Sequence, residues 1–174
     1  ITVDSNVIED VESGYEIENT NIGNISFTNN FVKNVHRGTS NGGAVVLVSF
    51  VHAKGIRIMN NVGINVLGES NPIDLINIYK SDGTPNDPIR VSNNKFYGGG
   101  PSTSSGGIML GDQGGSYQLA ENNILVNPGG YGIAIAGGHH NTFRNNKVYS
   151  DGERNFSNVG VSIWRFNYNG KGTP

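Results

Sequence analysis

Ile25-Ser26-Phe27-Thr28-Asn29-Asn30-Phe31-Val32 is the clearest of six copies of one phrase: apolar, any, apolar, two polar, Asn, any, apolar. The other copies run Ile1 to Ile8, Ile56 to Gly63, Ile89 to Phe96, Tyr117 to Ile124 and Asn141 to Val148. Their pivotal asparagines are Asn6, Asn30, Asn61, Asn94, Asn122 and Asn146, spaced 24, 31, 33, 28 and 24 residues apart. A fixed phrase with elastic spacing predicts stacked structural repeats joined by loops of variable length.

Within the phrase, apolar residues fall at period two, the signature of short strands. A second phrase follows, mostly opening with glycine: Gly14 to Glu18, Gly43 to Leu47, Gly107 to Gly111, Gly132 to Ala136 and Gly160 to Trp164, with Pro72 to Ile76 in the third unit. Each unit then holds three short strands. The coils run over 1–24, 25–55, 56–88, 89–116, 117–140 and 141–166, and 167–174 reads as a Gly-rich tail. One such unit cannot bury a face alone, so stacking must create one continuous narrow core. Neighbouring coils lie about 4.8 Å apart, the ordinary interstrand distance. At that spacing each pivotal Asn can accept a hydrogen bond from one neighbour and donate to the other, at a bend where Asn tolerates positive φ. The six asparagines are therefore predicted to form a ladder.

Composition agrees with a narrow core. Of 174 residues only 35% are apolar, and Gly, at 26, is about twice its usual share. Gly, Asn, Thr and Val interrupt every window that could form a helix. The net charge of −2 and the absence of a basic patch argue against nucleic acid as a partner. No apolar run is long enough to span a membrane. With no Cys, disulfides and thiolate metal sites are excluded. The chain opens on Ile1-Thr2-Val3 inside the repeat pattern and closes near it, which is read as a processed product or a piece of a longer protein. Residues 1–174 are read as a single domain.

On its six Asn turns the chain resembles the right-handed parallel β-helix proteins, the pectate-lyase-like superfamily. The resemblance covers nearly the whole chain. The stretches Gly98 to Asp112 and Asn127 to His140 are similar to secreted bacterial right-handed β-helix repeat proteins. The implied fold is all-β, a right-handed parallel β-helix of about six coils, and the implied location is secreted or cell-surface. The superfamily includes polysaccharide lyases, glycoside hydrolases, uronan epimerases, phage tailspikes and adhesins, so fold alone does not fix function. In β-helix enzymes of this kind the substrate usually lies along the long-strand face.

Aligning the second phrases on their opening residues predicts two outward rows on that face. The first is Glu16, Val45, Asp74, Met109, Ala134 and Ser162; the second is Glu18, Leu47, Ile76, Gly111, Ala136 and Trp164. Neither row holds a Lys or Arg, which argues against a polyuronate lyase, because that chemistry needs a cation at the substrate carboxylate and a basic group. The nearest cations are Lys54, Lys80 and Arg165. A glycosidase needs paired carboxyls, and Glu16 with Asp74, about two coil spacings apart, is one such pair. Asp112 and His139-His140 fall in corresponding turns and are further acid/base candidates, although Asp112-Gln113-Gly114-Gly115 and Gly137-Gly138 also read as plain turns. Asp74, Asp112, His139 and His140 are thus the catalytic candidates, and Trp164, Lys80, Arg165 and Glu16 the substrate-binding ones.

No Cys, and no His pair at helical spacing, points to a metal site. Asp82 and Asp87 are the acidic turn residues that could hold Ca²⁺, although both lie in ordinary turn sequences. The insertions Arg37 to Asn41, Gly68 to Asn71 and Asp151 to Asn158, and the Pro101-Ser102-Thr103-Ser104-Ser105 loop, fall on one edge and could wall the face. Its apolar strip calls for a covering loop, domain or second subunit. The expected function is an extracellular carbohydrate-directed module that binds, and in the catalytic version cleaves, a polysaccharide or cell-surface glycan. If it is an enzyme, it is lyase- or glycoside-hydrolase-like. The alternative is a structural or adhesive surface segment.

Overall fold

The computed structural model describes residues 1–36, 43–152 and 159–164. Eighteen strands form three parallel six-stranded sheets. The first sheet contains β1 (Thr2–Asp4), β4 (Ile25–Thr28), β7 (Ile56–Met59), β10 (Ile89–Ser92), β13 (Gln118–Glu121) and β16 (Thr142–Arg144). The second contains β2 (Val7–Val11), β5 (Phe31–Val35), β8 (Val62–Ile64), β11 (Lys95–Tyr97), β14 (Ile124–Val126) and β17 (Lys147–Tyr149). The third contains β3 (Tyr15–Thr20), β6 (Ala44–Val51), β9 (Asp74–Asp82), β12 (Gly106–Ser116), β15 (Tyr131–Ile135) and β18 (Val159–Ile163). Every third strand pairs with its predecessor, so the chain is a parallel β-solenoid. It makes five full turns from β1 to β16, and a sixth rung closes with β18. Among the described residues there is no helix, and so none long and apolar enough to cross a membrane.

The core is a set of apolar columns, one residue per rung. Phe27, Ile58, Val91 and Ala120 stack in register in the first sheet and are fully buried. Val32, Gly63, Phe96 and Leu125 form the facing column. Gly63 is required there: a β-carbon on it would lie 2.6 Å from the Phe96 ring, which occupies that space. Val46, Ile76, Ile108 and Ile133 make the third column.

The corner between the first and second sheets is held by asparagine. Asn30 accepts from the backbone N–H and the Nδ2 of Asn6, both at 2.9 Å. In the same way Asn61 accepts from Asn30, and Asn94 from Asn61. Each buried amide also donates to a carbonyl one rung earlier, as Asn61 does to Phe27 and Asn94 to Ile58. The residue before each ladder position has positive φ: Ser5, Asn29, Asn60, Asn93, Asn122 and Asn145 all lie between 55° and 59°. That explains the Asn-Asn doublets. The first residue supplies the left-handed turn and the second supplies the ladder.

Asn122 is therefore corrected. The ladder residue of the fifth rung is Asn123, which accepts from Asn94 and donates to Asn146 and to the Val91 carbonyl; Asn122 is the exposed turn residue. The sequence misleads here because Tyr117 and Leu119 alternate like inward residues. The inward positions are Gln118 and Ala120, in register with Ile89 and Val91. Gln118 is buried but satisfied, accepting from Gly111 N and donating to Ser81 O, both at 2.7 Å.

Asn123→Ala deletes a buried amide and orphans at least two backbone partners, each costing about 1–3 kcal/mol. Thermal unfolding should show a large loss for Asn123→Ala and almost none for Asn122→Gly, because glycine adopts the same positive φ. Equal losses would contradict this assignment of the ladder.

Candidate functional site

The outward rows of the third sheet differ from the alignment made on opening residues. The observed row is Glu16, Leu47, Asn77, Met109, Ala134 and Ser162. Asp74 is not in it. Asp74 lies opposite Ala44 and Gly106, and Gly106 lies opposite Tyr131. Val45 and Ile76, both placed outward by the sequence alignment, are fully buried in the core. The cause is local: Leu75 and Ile76 are consecutive, and both are buried in the core where the chain enters the sheet. Strict alternation fails there, and Gly43 and Pro72 do not occupy the position of Gly132.

This register brings Asp74 to Asp112 instead of Glu16. Asn77 Nδ2 donates to Asp74 Oδ2 at 2.8 Å and to Asp112 Oδ2 at 3.0 Å. The two carboxyl oxygens therefore lie no farther apart than the sum of those bonds. The Tyr131 hydroxyl donates to Asp74 Oδ1. It reaches that oxygen by lying across Gly106, where a β-carbon would sit 2.0 Å from the ring. Only glycine at 106 allows a tyrosine two rungs away to meet the aspartate. Asp112 enters the site because β12 departs from regular register with β9 between Met109 and Asp112, which sets Asp112 opposite Tyr79.

Burial dominates the electrostatics. Asp74 is almost completely enclosed, and this desolvation pushes its pKa up to about 7, against the lowering effect of the Tyr131 and Asn77 donors. The neighbouring Asp112 charge adds to the rise. Asp112 is also raised by burial, opposed by Asn77 and by the Lys80 charge. The Tyr131 hydroxyl is held well above its ordinary range by burial and by Asp74. Asn77 Oδ1 is buried with no partner among the described residues, so the amide's orientation is fixed by what its Nδ2 donates to.

Asp74, Asn77, Asp112, Tyr131 and Trp164 line a cavity of about 610 Å³, with Thr103 and Ser104 of the polar loop on its wall. A second cavity of about 420 Å³ shares Asn77 and Asp112 and extends to Glu18 and Phe50. Together they form a groove along the stack over the third sheet. The apolar strip is covered from within the chain: Met109, Ala134 and Ala136 are buried beneath Tyr131 and Trp164, whose rings meet edge to face at 5.4 Å.

The remaining candidates separate. Lys80 lies over the Phe50 and Tyr79 rings and close enough to Asp112 to act on its charge. Glu16 is exposed and lines neither cavity; Glu18 does. His139 and His140 bond to each other at 2.7 Å, pack on Tyr117 in the turn after β15, and line neither cavity. Arg165 and the Arg37 to Asn41 insertion lie outside the described residues, as does most of Asp151 to Asn158. Asp82 accepts from Ser116 and pairs with His52, and Asp87 pairs with Arg57, so both calcium candidates are engaged by protein groups. Among the described residues no three His, Asp or Glu side chains gather as a metal site.

Comparison with protein-family models, curated proteins and solved structures finds no match to this chain. The functional reading rests on the geometry.

The raised Asp74 has a measurable consequence. Its unfolded-state pKa is about 3.9, below the folded value, so its contribution to stability is fully present below about pH 4 and is lost as pH rises through about 7. The loss amounts to up to about 4 kcal/mol. Denaturation of the wild type followed from pH 4 to pH 8 should show this decline, and Asp74→Asn, which cannot ionise, should flatten it. An unchanged slope in Asp74→Asn would assign the pH dependence to another group.

Proposed function

We propose that this chain is an extracellular carbohydrate-directed module that binds a polysaccharide along the groove over its third sheet and hydrolyses it with Asp74 and Asp112. The observation that carries this reading is the carboxyl pair joined through Asn77 on the floor of an aromatic-walled cavity. Two carboxyls on one amide fall on the short side of glycosidase spacing. Retaining enzymes hold theirs about 5–5.5 Å apart and inverting ones about 6.5–9.5 Å. Asp74, with its pKa near neutrality, is the proton donor to the glycosidic oxygen. Asp112 is less buried and acts as the nucleophile at the anomeric carbon, breaking the glycosidic C–O bond as Asp74 protonates the leaving oxygen; a water deprotonated by Asp74 then cleaves the glycosyl ester and frees Asp112. The edges of Tyr131 and Trp164 offer apolar surface to a sugar face.

Lyase chemistry has less support. Neither cavity is lined by a Lys or Arg among the described residues, whereas Asp74, Asp112 and Glu18 line the groove. A polyuronate would meet like charge there. This favours a neutral glycan. The resemblance to secreted β-helix repeat proteins supports a secreted or cell-surface location. The second reading is a structural or adhesive segment without catalysis, in which the stacked parallel rungs supply length and rigidity.

A panel of plant, algal and bacterial polysaccharides separates these readings by two measurements, release of reducing ends and binding. Wild type should release reducing ends from a neutral glycan. Asp112→Asn should lower turnover at least about a hundredfold while binding persists, and Trp164→Ala should weaken binding. Binding without product would support a non-catalytic glycan module; neither across the panel would sink the carbohydrate reading.

A further inference from the structure

The corners of the solenoid follow a rule that one column breaks. Where a residue other than glycine has positive φ, this chain mostly uses asparagine, as at Asn24, Asn29, Asn60 and Asn93. Asparagine tolerates that conformation because its short polar side chain bonds locally; a bulky side chain does not. In the third sheet Glu18, Ser49, Tyr79 and Asp112 stand in register in four successive rungs. The residue after each is left-handed: Asn19, Phe50, Lys80 and Gln113, with φ between 42° and 53°. Asparagine holds the first of these positions. A ring, an ammonium and a long amide hold the other three. Strain of this kind gathers at functional sites, where the surroundings hold it in place.

Those three side chains meet Tyr79 beside the groove. The Phe50 and Tyr79 rings pack edge to face with centroids 5.4 Å apart. Lys80 Nζ lies 5.3 Å from the Phe50 centroid and 5.0 Å from that of Tyr79. The Tyr79 hydroxyl donates to Gln113 Oε1 at 3.1 Å. Lys80 and Gln113 thus hold the Tyr79 ring by its face and its phenol, while Phe50 is 41% exposed. Both rings belong to inner rungs, with a rung on either side. Packing alone gives no reason to set an aromatic ring on a strained corner and leave it in solvent.

What the rings face is the second cavity. Phe50 and Tyr79 line it together with Leu47, Ser49, Asn77 and Asp112. Asn77 and Asp112 also line the first cavity, whereas Asp74 lines the first and not the second. The two carboxyls therefore give a bound chain a direction. In retaining hydrolysis the nucleophile attacks the sugar that is transferred, and the acid protonates the oxygen of the sugar that leaves. With Asp112 as nucleophile, the transferred sugar lies toward the second cavity. With Asp74 as acid, the leaving sugar lies toward Tyr131 in the first.

We propose that Phe50 and Tyr79 form the platform of a second sugar subsite, on the non-reducing side of the cleaved bond. Its ligand is a neutral pyranose with equatorial hydroxyls, of gluco or xylo configuration. Such a ring has an apolar C–H face to lay on Phe50 and a hydroxyl edge to turn toward Ser49 and Asn77. The carboxylates of Glu18 and Asp112 line the same cavity, which suits an uncharged sugar. Lys80 fixes both rings and stands close enough to Asp112 to favour its carboxylate form. The bound glycan then runs along the stack with its non-reducing end toward the first rung. This inference rests on the hydrolase reading and adds to it a subsite and a direction.

Reducing-end-labelled hexasaccharides of a neutral glucan and of a xylan test it, with the wild type, Phe50→Asn and Phe50→Tyr. Asparagine is the residue the preceding rung uses at this corner, so Phe50→Asn should melt no lower than the wild type. It should lower kcat/KM by about tenfold or more. It should also move cleavage toward the non-reducing end and lengthen the labelled fragment, because the chain shifts to fill the remaining cavity. Phe50→Tyr keeps the ring and should keep the wild-type rate and cleaved bond. Phe50→Asn acting at the wild-type rate and bond overturns the subsite and leaves the carboxyl pair standing. A labelled fragment that shortens overturns the direction. A wild type that cuts neither hexasaccharide overturns the proposal, and the polysaccharide panel then shows whether the hydrolase reading falls with it.

Discussion

A parallel solenoid has to satisfy its backbone at every corner, where the chain leaves one sheet for the next and the strand ladders are interrupted. In this protein an asparagine does this once per rung, and in the four inner rungs it is buried. Its carboxamide accepts two bonds from the rung before, one from a backbone N–H, and donates back to a carbonyl and on to the next carboxamide. An unsatisfied buried polar group costs about 1–3 kcal/mol, so the four buried corners left unsupported would cost on the order of the whole stability of an ordinary domain, about 5–15 kcal/mol. The ladder also fixes rung-to-rung register, and every cross-rung contact in the site depends on that register.

The core that results is narrow and columnar, so it tolerates few departures, and the departures fall around the groove. Gly106 replaces a side chain by empty space, and Tyr131 fills it to reach Asp74. The register shift in β12 places Asp112 within reach of Asn77. Gln118 stands where an apolar residue is expected and ties Gly111 to Ser81 beneath that irregular segment. A regular solenoid would present flat rows on its third sheet. Here the irregular rungs gather two carboxyls, an amide and a phenol at one point.

Much of the fold could be read from the sequence because its signal is local. An asparagine three residues after a pair of alternating apolar positions, with another apolar residue two positions further on, is recognisable without knowing what stacks on it. Where the reading failed, a local rule was ambiguous. Asn122 and Asn123 are chemically identical and adjacent, and only the inward direction of Gln118 and Ala120 tells which is buried. In the third sheet the opening glycine is not a fixed landmark, so alignment on it sets Asp74 level with Val45 and Met109 instead of with Ala44 and Gly106, its neighbours in the sheet. Asp74 and Asp112 were each singled out as acidic residues near the long-strand face, but their partnership could not be read, and neither could the roles of Asn77 and Tyr131. Tyr131 looks like an ordinary strand residue until Gly106 is known to lie beneath it.

The sequence by itself determined the repeat, the three-strand composition of each unit and the use of asparagine at the corner, while its six coils stand against about five full turns in the structure. These follow from periodicity and from the backbone preferences of Asn and Gly, which act over a few residues. The tertiary structure alone decided which outward side chains meet. Contacts between rungs join residues roughly 24 to 57 positions apart, and one residue of slippage in any loop moves every side chain of the following strand to the opposite face. Loop length in turn is set by how each corner packs. Proximity across rungs, and with it the elevated pKa of Asp74, exists only once all the corners are in place.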